Sequence, residues 1–284
     1  VTIDLAFPAG EGPDFREVAD WCEYTALTQT ADFKRGDLKS AISRENISSA
    51  DLLEEQAWAE LTTRAGLFGA TWPLELDGSR LRRAAATEDA RTLYRYLCLL
   101  GMGQLDNVDR KLFEEIVRAI FAVTFGENTM RIGHPASAGM STSFRERAKH
   151  YATAAGLTSS EYLNDPLPDD KDLGLDVVSW HGTGDNRGGE LHFLVQCATG
   201  KNWPEKGDDI HLGTISPHLN WAVTPVRVFC IPAVAHLPEQ QWIRFCRRAG
   251  LVLDRPRLIE AGTNIELSDA LRTAIHTREV ALVG

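Results

Sequence analysis

Apolar and polar positions change rhythm along the chain. Up to about Gly101 the apolar residues recur at helical spacing: in "PDFREVADWCEYTALTQ", Phe15, Val18, Trp21 and Cys22 share one helix face. "SSADLLEEQAWAELTTRAG" predicts a second helix, with Ser48 or Ser49 as cap and Gly66 as stop, and "TEDARTLYRYLCLLG" a third, capped by Thr87 and ended by Gly101. From Asn107 the pattern alternates. "NVDRKLFEEIVRAIFAVTFG" is a helix whose stripe is Phe113, Ile116, Val117, Ile120 and Phe121, and "NTMRIGHP" a short strand. After a helix in "TSFRERAKHYATAAG" and a Pro/Asp-rich loop, "VVSWHGTGDNRGGELHFLVQ" reads as two apolar strands joined by a Gly-rich connector. "VRVFCIPAVA" then predicts a buried strand, "LPEQQWIRFCRRAG" a helix, "LVLDRPRL" a short strand and "LSDALRTAIHTREV" a terminal helix.

This order predicts an α/β protein: a mixed-sheet core flanked by helices, behind a helical N-terminal extension. The expected boundaries are 1–105 for the extension, 106–262 for the core, and 263–284 for a C-terminal helix packed on that core. The extension carries no chemical motif and reads as scaffold or as a surface for a protein partner.

Composition narrows the class. With 43% hydrophobic and 25% charged residues among 284, the chain matches an ordinary globular protein. No apolar run approaches the ~20 residues needed to span a bilayer, and "VTIDLAFPAGEGPDF" does not resemble a signal peptide, so the expected setting is cytoplasmic without a membrane partner. Five scattered cysteines without a C-x-x-C pair read as buried free thiols. A net charge of −10 argues against an indiscriminate nucleic-acid coat and leaves a local basic groove open.

The candidate chemistry lies on the hairpin. Residues two apart on a strand share a face, so Asp176, Val178 and Trp180 point one way, and His192, Leu194, Gln196 and Ala198 form one face of the partner. Both strands are apolar on both faces, as central strands are. A carboxylate at Asp176 must then be paired, protonated or metal-bound, and Gln196 needs a partner too. Taken singly, Asp176 caps a turn and Gln196 meets backbone; on adjacent strands they form a candidate pair.

A helix bearing Glu, a strand entered by D-x-G-x-D at Asp172, Gly174 and Asp176, and a partner strand bearing Gln196 with a lysine after it resemble the PD-(D/E)XK nuclease superfamily, in particular its Mrr-like restriction branch. The resemblance covers about residues 107–260. It implies a restriction-endonuclease-like core, a Mg²⁺ (or Mn²⁺) site and phosphodiester hydrolysis, with DNA the expected substrate and bacterial restriction or anti-phage defence the expected context. Asp176 would be the principal metal ligand, Gln196 would give a carbonyl oxygen, and Glu114, after Phe113 in "LFEEIV", would supply the helix carboxylate in preference to Glu115. The departure is at the lysine: Ala198 stands where the family has it, and Lys201 would have to return to the site through a turn or bulge at Gly200. Hence a second reading, a catalytically silent module of this fold that binds nucleic acid or a protein partner. A homodimer would suit a duplex cutter.

Other features read as structure. The histidines lack ligand spacing, "GTGDNRGG" lacks the G-K-[ST] ending of a phosphate loop, and Trp203 suits the core. The short basic clusters, Lys34-Arg35, Arg80 with Arg82-Arg83, Arg145 with Arg147 and Lys149, and Arg247-Arg248, read as solvated faces, and Asp254 with Arg255 and Arg257 as an internal ion pair.

Overall fold

The computed structural model describes residues 5–8, 12–45, 47, 49–103, 106–137, 139–157, 173–185, 187–216 and 219–283. Asp172 and the rest of the Pro/Asp-rich loop lie outside them. The chain forms two compact units: one of residues 1–106, 232–234 and 255–284, the other of residues 107–231 and 235–254.

The first unit is built around α1 (Phe15–Thr28), capped by Asp14, whose carboxylate accepts the Arg16 N–H. Every residue from Val18 to Leu27 is buried, the polar Asp20 and Glu23 included. Around it stand α2 (Arg35–Arg44), α3 (Ala50–Phe68), α4 (Glu88–Met102), α9 (Arg255–Ala261) and α10 (Asp269–Val283). Thr87 caps α4 as expected, by accepting from the Ala90 N–H. The expected stops at Gly66 and Gly101 are overrun: α3 reaches Phe68 and α4 reaches Met102. A small antiparallel sheet, β1 (Phe33–Lys34), β3 (Arg80–Arg83) and β2 (Leu74–Asp77), completes the unit.

Two expectations are corrected here. The extension is not wholly helical, because "LELDGSRLRR" folds as a hairpin with Gly78-Ser79 as its two-residue turn, Gly78 at φ +57°. A two-residue turn with Gly at its first position matches the twist of the strands it joins. The C-terminal helix belongs to the helical unit and not to the sheet core. Its Glu279 is buried, accepts the Tyr24 O–H at 3.0 Å and pairs with Arg95 at 2.8 Å. A carboxylate taken out of water needs such partners, and α1 and α4 provide them.

The second unit holds a five-stranded mixed sheet in the order β4 (Thr129–Arg131), β5 (Val177–His181), β6 (Leu191–Cys197), β7 (Val226–Cys230), β8 (Leu251–Leu253). β5 runs antiparallel to both β4 and β6, and β6, β7 and β8 are mutually parallel. β5 and β6 are therefore central, as their apolar faces required. On one face α5 (Asn107–Phe125) packs, with Phe121 and Phe125 against Phe193 at ring separations of 5.9 and 4.4 Å. On the other, α6 (Phe144–Ala154) brings Phe144, Ala148 and Tyr151 to Val178, Trp180 and Leu194. On that same face α8 (Glu239–Ala249) covers Phe229 and Val252 through Phe245 and Ala249. Burying each such large side chain contributes about 1.5–3 kcal/mol, so the sheet is held from both sides. A short helix, α7 (Leu212–Ile215), lies in the β6–β7 connection.

Candidate functional site

Asp176 stands immediately before β5, where three strands meet. Its N–H donates to the Val195 carbonyl at 3.0 Å, and its own carbonyl accepts from Ile132 at 2.7 Å and Gly133 at 2.9 Å. The backbone thereby ties the ends of β4 and β6 to the start of β5. The side chain is aimed along β6, and Oδ2 accepts the Cys197 N–H at 2.7 Å.

Glu114 reaches the same place from α5. A Cβ built on Gly133 would lie 2.8 Å from Glu114 Oε2 and 2.9 Å from Asp176 Oδ1, so the two carboxylates flank a gap that any other side chain would fill. Arg131 pairs with Glu114, Nε to Oε2 at 2.6 Å, with both side chains buried. Arg131 also donates to the Pro135 carbonyl at 2.7 Å. Glu115, read as the outer of the two glutamates, is part-exposed and pairs with Arg118 at 2.8 Å.

Gln196 is buried on β6, and its Nε2 donates to Asp209 Oδ2 at 2.6 Å. A carboxylate accepts only, so this bond fixes the amide: the nitrogen faces Asp209 and the carbonyl oxygen is turned elsewhere. Asp209 was not anticipated. It sits in a loop without periodic pattern, and the signal that places it is Gly174, at φ +71°, where a Cβ would lie only 3.0 Å from Asp209 Cβ.

The negative potential of this cluster is felt by its neighbours. Burial, then Asp176, and further down Glu114, push the Cys197 thiol well above its usual range, opposed by Arg131; Cys230 is raised by burial and by Asp176. Both thiols stay protonated and offer neither a nucleophile nor a soft ligand at neutral pH.

Ala198, two residues beyond Gln196, is 2% exposed and packs with Phe229, Ile231 and Phe245. A lysine there would have its stem in that apolar cluster, which gives alanine a packing reason. Lys201 is exposed in the turn that leads from β6 to a single 3-10 turn at Trp203–Glu205, closed by Trp203 N–H to Gly200 O at 3.1 Å. The turn expected at Gly200 is thus present. Asp176 and Glu114 are brought together, Gln196 joins Asp209, and Lys201 takes a place in the exposed turn.

The helical unit holds another acidic group. Ligand atoms of Asp20, Glu23 and Cys98 lie within 4.8 Å of one another, so this buried trio could hold a metal ion. Two buried guanidiniums already serve it. Arg64 Nη1 meets Asp20 at 2.5 Å and Glu23 at 2.6 Å, with Nε on Glu60 at 2.6 Å, and Arg255 grips Asp20 at 2.7 and 3.0 Å. Tyr94 adds an O–H bond to Glu23 at 2.9 Å. A cation would have to displace these donors. Gly101 belongs to this arrangement, since a Cβ there would come within 2.3 Å of Asp20 and Arg255. Arg255 therefore pairs away from Asp254, whose Oδ2 takes the Ala235 N–H at 3.2 Å.

The remaining expectations settle as structure. Trp203 packs on Phe245 at 5.2 Å, and His192 is buried with Tyr151. Arg147 is buried too, donating to the carbonyls of Ile132, Ser141 and Thr142, so this member of its basic cluster braces a loop instead of facing solvent. Among the described residues no helix is long and apolar enough to cross a membrane. Comparison with family models, curated proteins and solved structures gave no match.

Proposed function

We propose that the sheet unit is a metal-dependent nuclease of the PD-(D/E)XK type, with a restriction-endonuclease-like core, that hydrolyses phosphodiester bonds, DNA first among them. The observation that carries this reading is the convergence of Glu114 and Asp176 on the gap kept open by Gly133, one strand away from Gln196. The donor set is all oxygen, two carboxylates and an amide carbonyl, which suits Mg²⁺ or Mn²⁺ over softer metals. Asp176, Glu114 and Gln196 would hold the ion, which when bound supplies a Lewis acid and lowers the pKa of a coordinated water. The chain's own part is orientation: Cys197 N–H holds the Asp176 carboxylate, Asp209 turns the Gln196 oxygen, and Lys201 is the residue to steady developing charge on phosphate.

The second reading, a silent module of the same fold that binds nucleic acid or a protein partner, draws on Arg131 beside Glu114 and on the buried Ala198. An arginine at the carboxylate competes with a metal for it. Nicking of supercoiled plasmid in Mg²⁺ or Mn²⁺ separates the two. The nuclease reading expects cutting by the wild type, none by Asp176→Ala, and a strong reduction in Lys201→Ala. Equal residual cutting in all three rejects the assigned site, and absence of cutting with retained DNA binding favours the silent module.

A further inference from the structure

At the other end of the β5–β6 pair, ~13 Å along the strands from Asp176, the sheet unit has a cavity of about 670 Å³. Trp180, Gly182, Glu190, His192, Leu157 and Asn220 are among its walls. Its size is that of small-molecule sites. Glu190 and His192 are two residues apart and share a face, and Trp180 is the cross-strand partner of His192.

The hydrogen bonds behind this wall fix the chemistry that it presents. Trp221 Nε1–H, a donor only, reaches the Tyr151 hydroxyl oxygen at 3.2 Å, and that hydroxyl is 2.6 Å from His192 Nδ1. With the indole already donating to it, the Tyr151 hydroxyl is placed to give its own proton to Nδ1, and we assign that tautomer. His192 is left with its proton on Nε2, a neutral donor on a cavity-lining ring. Burial keeps it neutral, lowering its pKa to about 4. Glu190 is folded over Gly182, where a Cβ would come within 2.7 Å of Oε1, and its Oε2 is buried without a hydrogen-bond partner. A buried acceptor left unsatisfied costs ~1–3 kcal/mol, which a ligand bearing N–H groups would recover once the carboxylate turns from Gly182 towards the cavity.

We infer that this cavity is a nucleobase site, with guanine as the base it fits best. Guanine presents two adjacent N–H donors, N1 and the exocyclic N2, to one carboxylate, and on the same edge carries the O6 acceptor for His192 Nε2–H. Its flat ring suits a wall that contains Trp180. Adenine and cytosine offer a single amino donor on that edge and leave one carboxylate contact unmade. The same edge is displayed by a free guanosine nucleotide and by an unstacked guanine in a single strand. The site is independent of the nuclease reading.

Titration calorimetry on the full chain tests it, with guanosine, adenosine and cytidine as nucleosides, and an oligo-dA strand with or without one central dG as the strand arm. The expected result is binding of guanosine at least tenfold tighter than of the other two nucleosides. The isosteric Glu190→Gln should weaken guanosine at least tenfold with an unchanged unfolding midpoint, and Asp176→Ala should leave it unaltered. Preference for the dG strand with no nucleoside binding also supports the site and assigns it to strand recognition. No guanine preference in either arm, or equal affinity in Glu190→Gln, overturns the inference.

Discussion

The helical unit and the sheet unit each gather a set of carboxylates, buried in the first and ranging from the buried Glu114 to the half-buried Asp176 and the exposed Asp209 in the second, and they neutralise them differently. In the helical unit Asp20, Glu23 and Glu60 are met by the guanidiniums of Arg64 and Arg255 and by the Tyr94 hydroxyl. In the sheet unit Arg131 pairs with Glu114, but Asp176 takes a backbone N–H and Asp209 meets an uncharged amide. Buried charge matched by fixed guanidiniums holds helices together; charge nearer the surface, matched by weaker dipoles, remains able to accept a cation. The lesson is that clustering of acids does not mark a metal site until the positive charge around it has been accounted for.

Removing a cation from the helical unit should therefore be the costliest change. Arg255→Met leaves Asp20 with part of its neutralisation gone, and urea denaturation should show a loss of about 3–5 kcal/mol. A loss below about 1 kcal/mol would erase the distinction between the clusters. Asp176→Asn should do the reverse: its amide oxygen can still accept the Cys197 N–H, so the unfolding midpoint stays near wild type, while metal-dependent cleavage falls about a thousandfold, ~4 kcal/mol in barrier. A collapsed midpoint would show that Asp176 is structural in the same sense as Asp20.

Acid should expose a further asymmetry. His192 titrates at about 4 in the fold, held down by burial, against ~6.5 in the unfolded chain. The unfolded state thus binds the extra proton first, and stability falls as pH drops from ~6.5 towards 4, by up to about 3 kcal/mol. Thermal unfolding across that window should show the slope in wild type and a flatter one in His192→Gln. The smallest effect is expected for Gln196→Glu, which sets a second carboxylate against Asp209. Added Mg²⁺ should raise the unfolding midpoint more in this variant than in wild type, by the equivalent of about 1 kcal/mol. Identical Mg²⁺ shifts would place the ion elsewhere.

Much of the sheet unit was legible because its pattern is redundant: α5 has a full apolar stripe, and β5 and β6 are apolar on both faces, leaving Asp176 and Gln196 conspicuous. Glu114 could be chosen over Glu115 from the same stripe. Asp209 was hidden because a loop residue has no period, and only the three-dimensional approach to Gly174 singles it out. The hairpin at Gly78-Ser79 carried a Gly-Ser turn signal, but β2 and β3 each bury a single side chain, too little alternation to stand out among helices. Gly101 was misread as a terminator for a related reason. The glycine is required by a neighbour from another part of the chain, an ion pair whose members, Asp20 and Arg255, are more than two hundred residues apart.

That separation has a temporal side. The helical unit is assembled from chain on both sides of the sheet unit, so during synthesis Asp20, Glu23 and Arg64 emerge long before Arg255 does. Until residues 255–284 are made, α1 lacks one of the cations its acids are buried against and α4 lacks Glu279 as a partner for Arg95. The residues of the sheet unit, which end at 254, are all made before residues 255–284. The last thirty residues then act as the fastening of the first hundred.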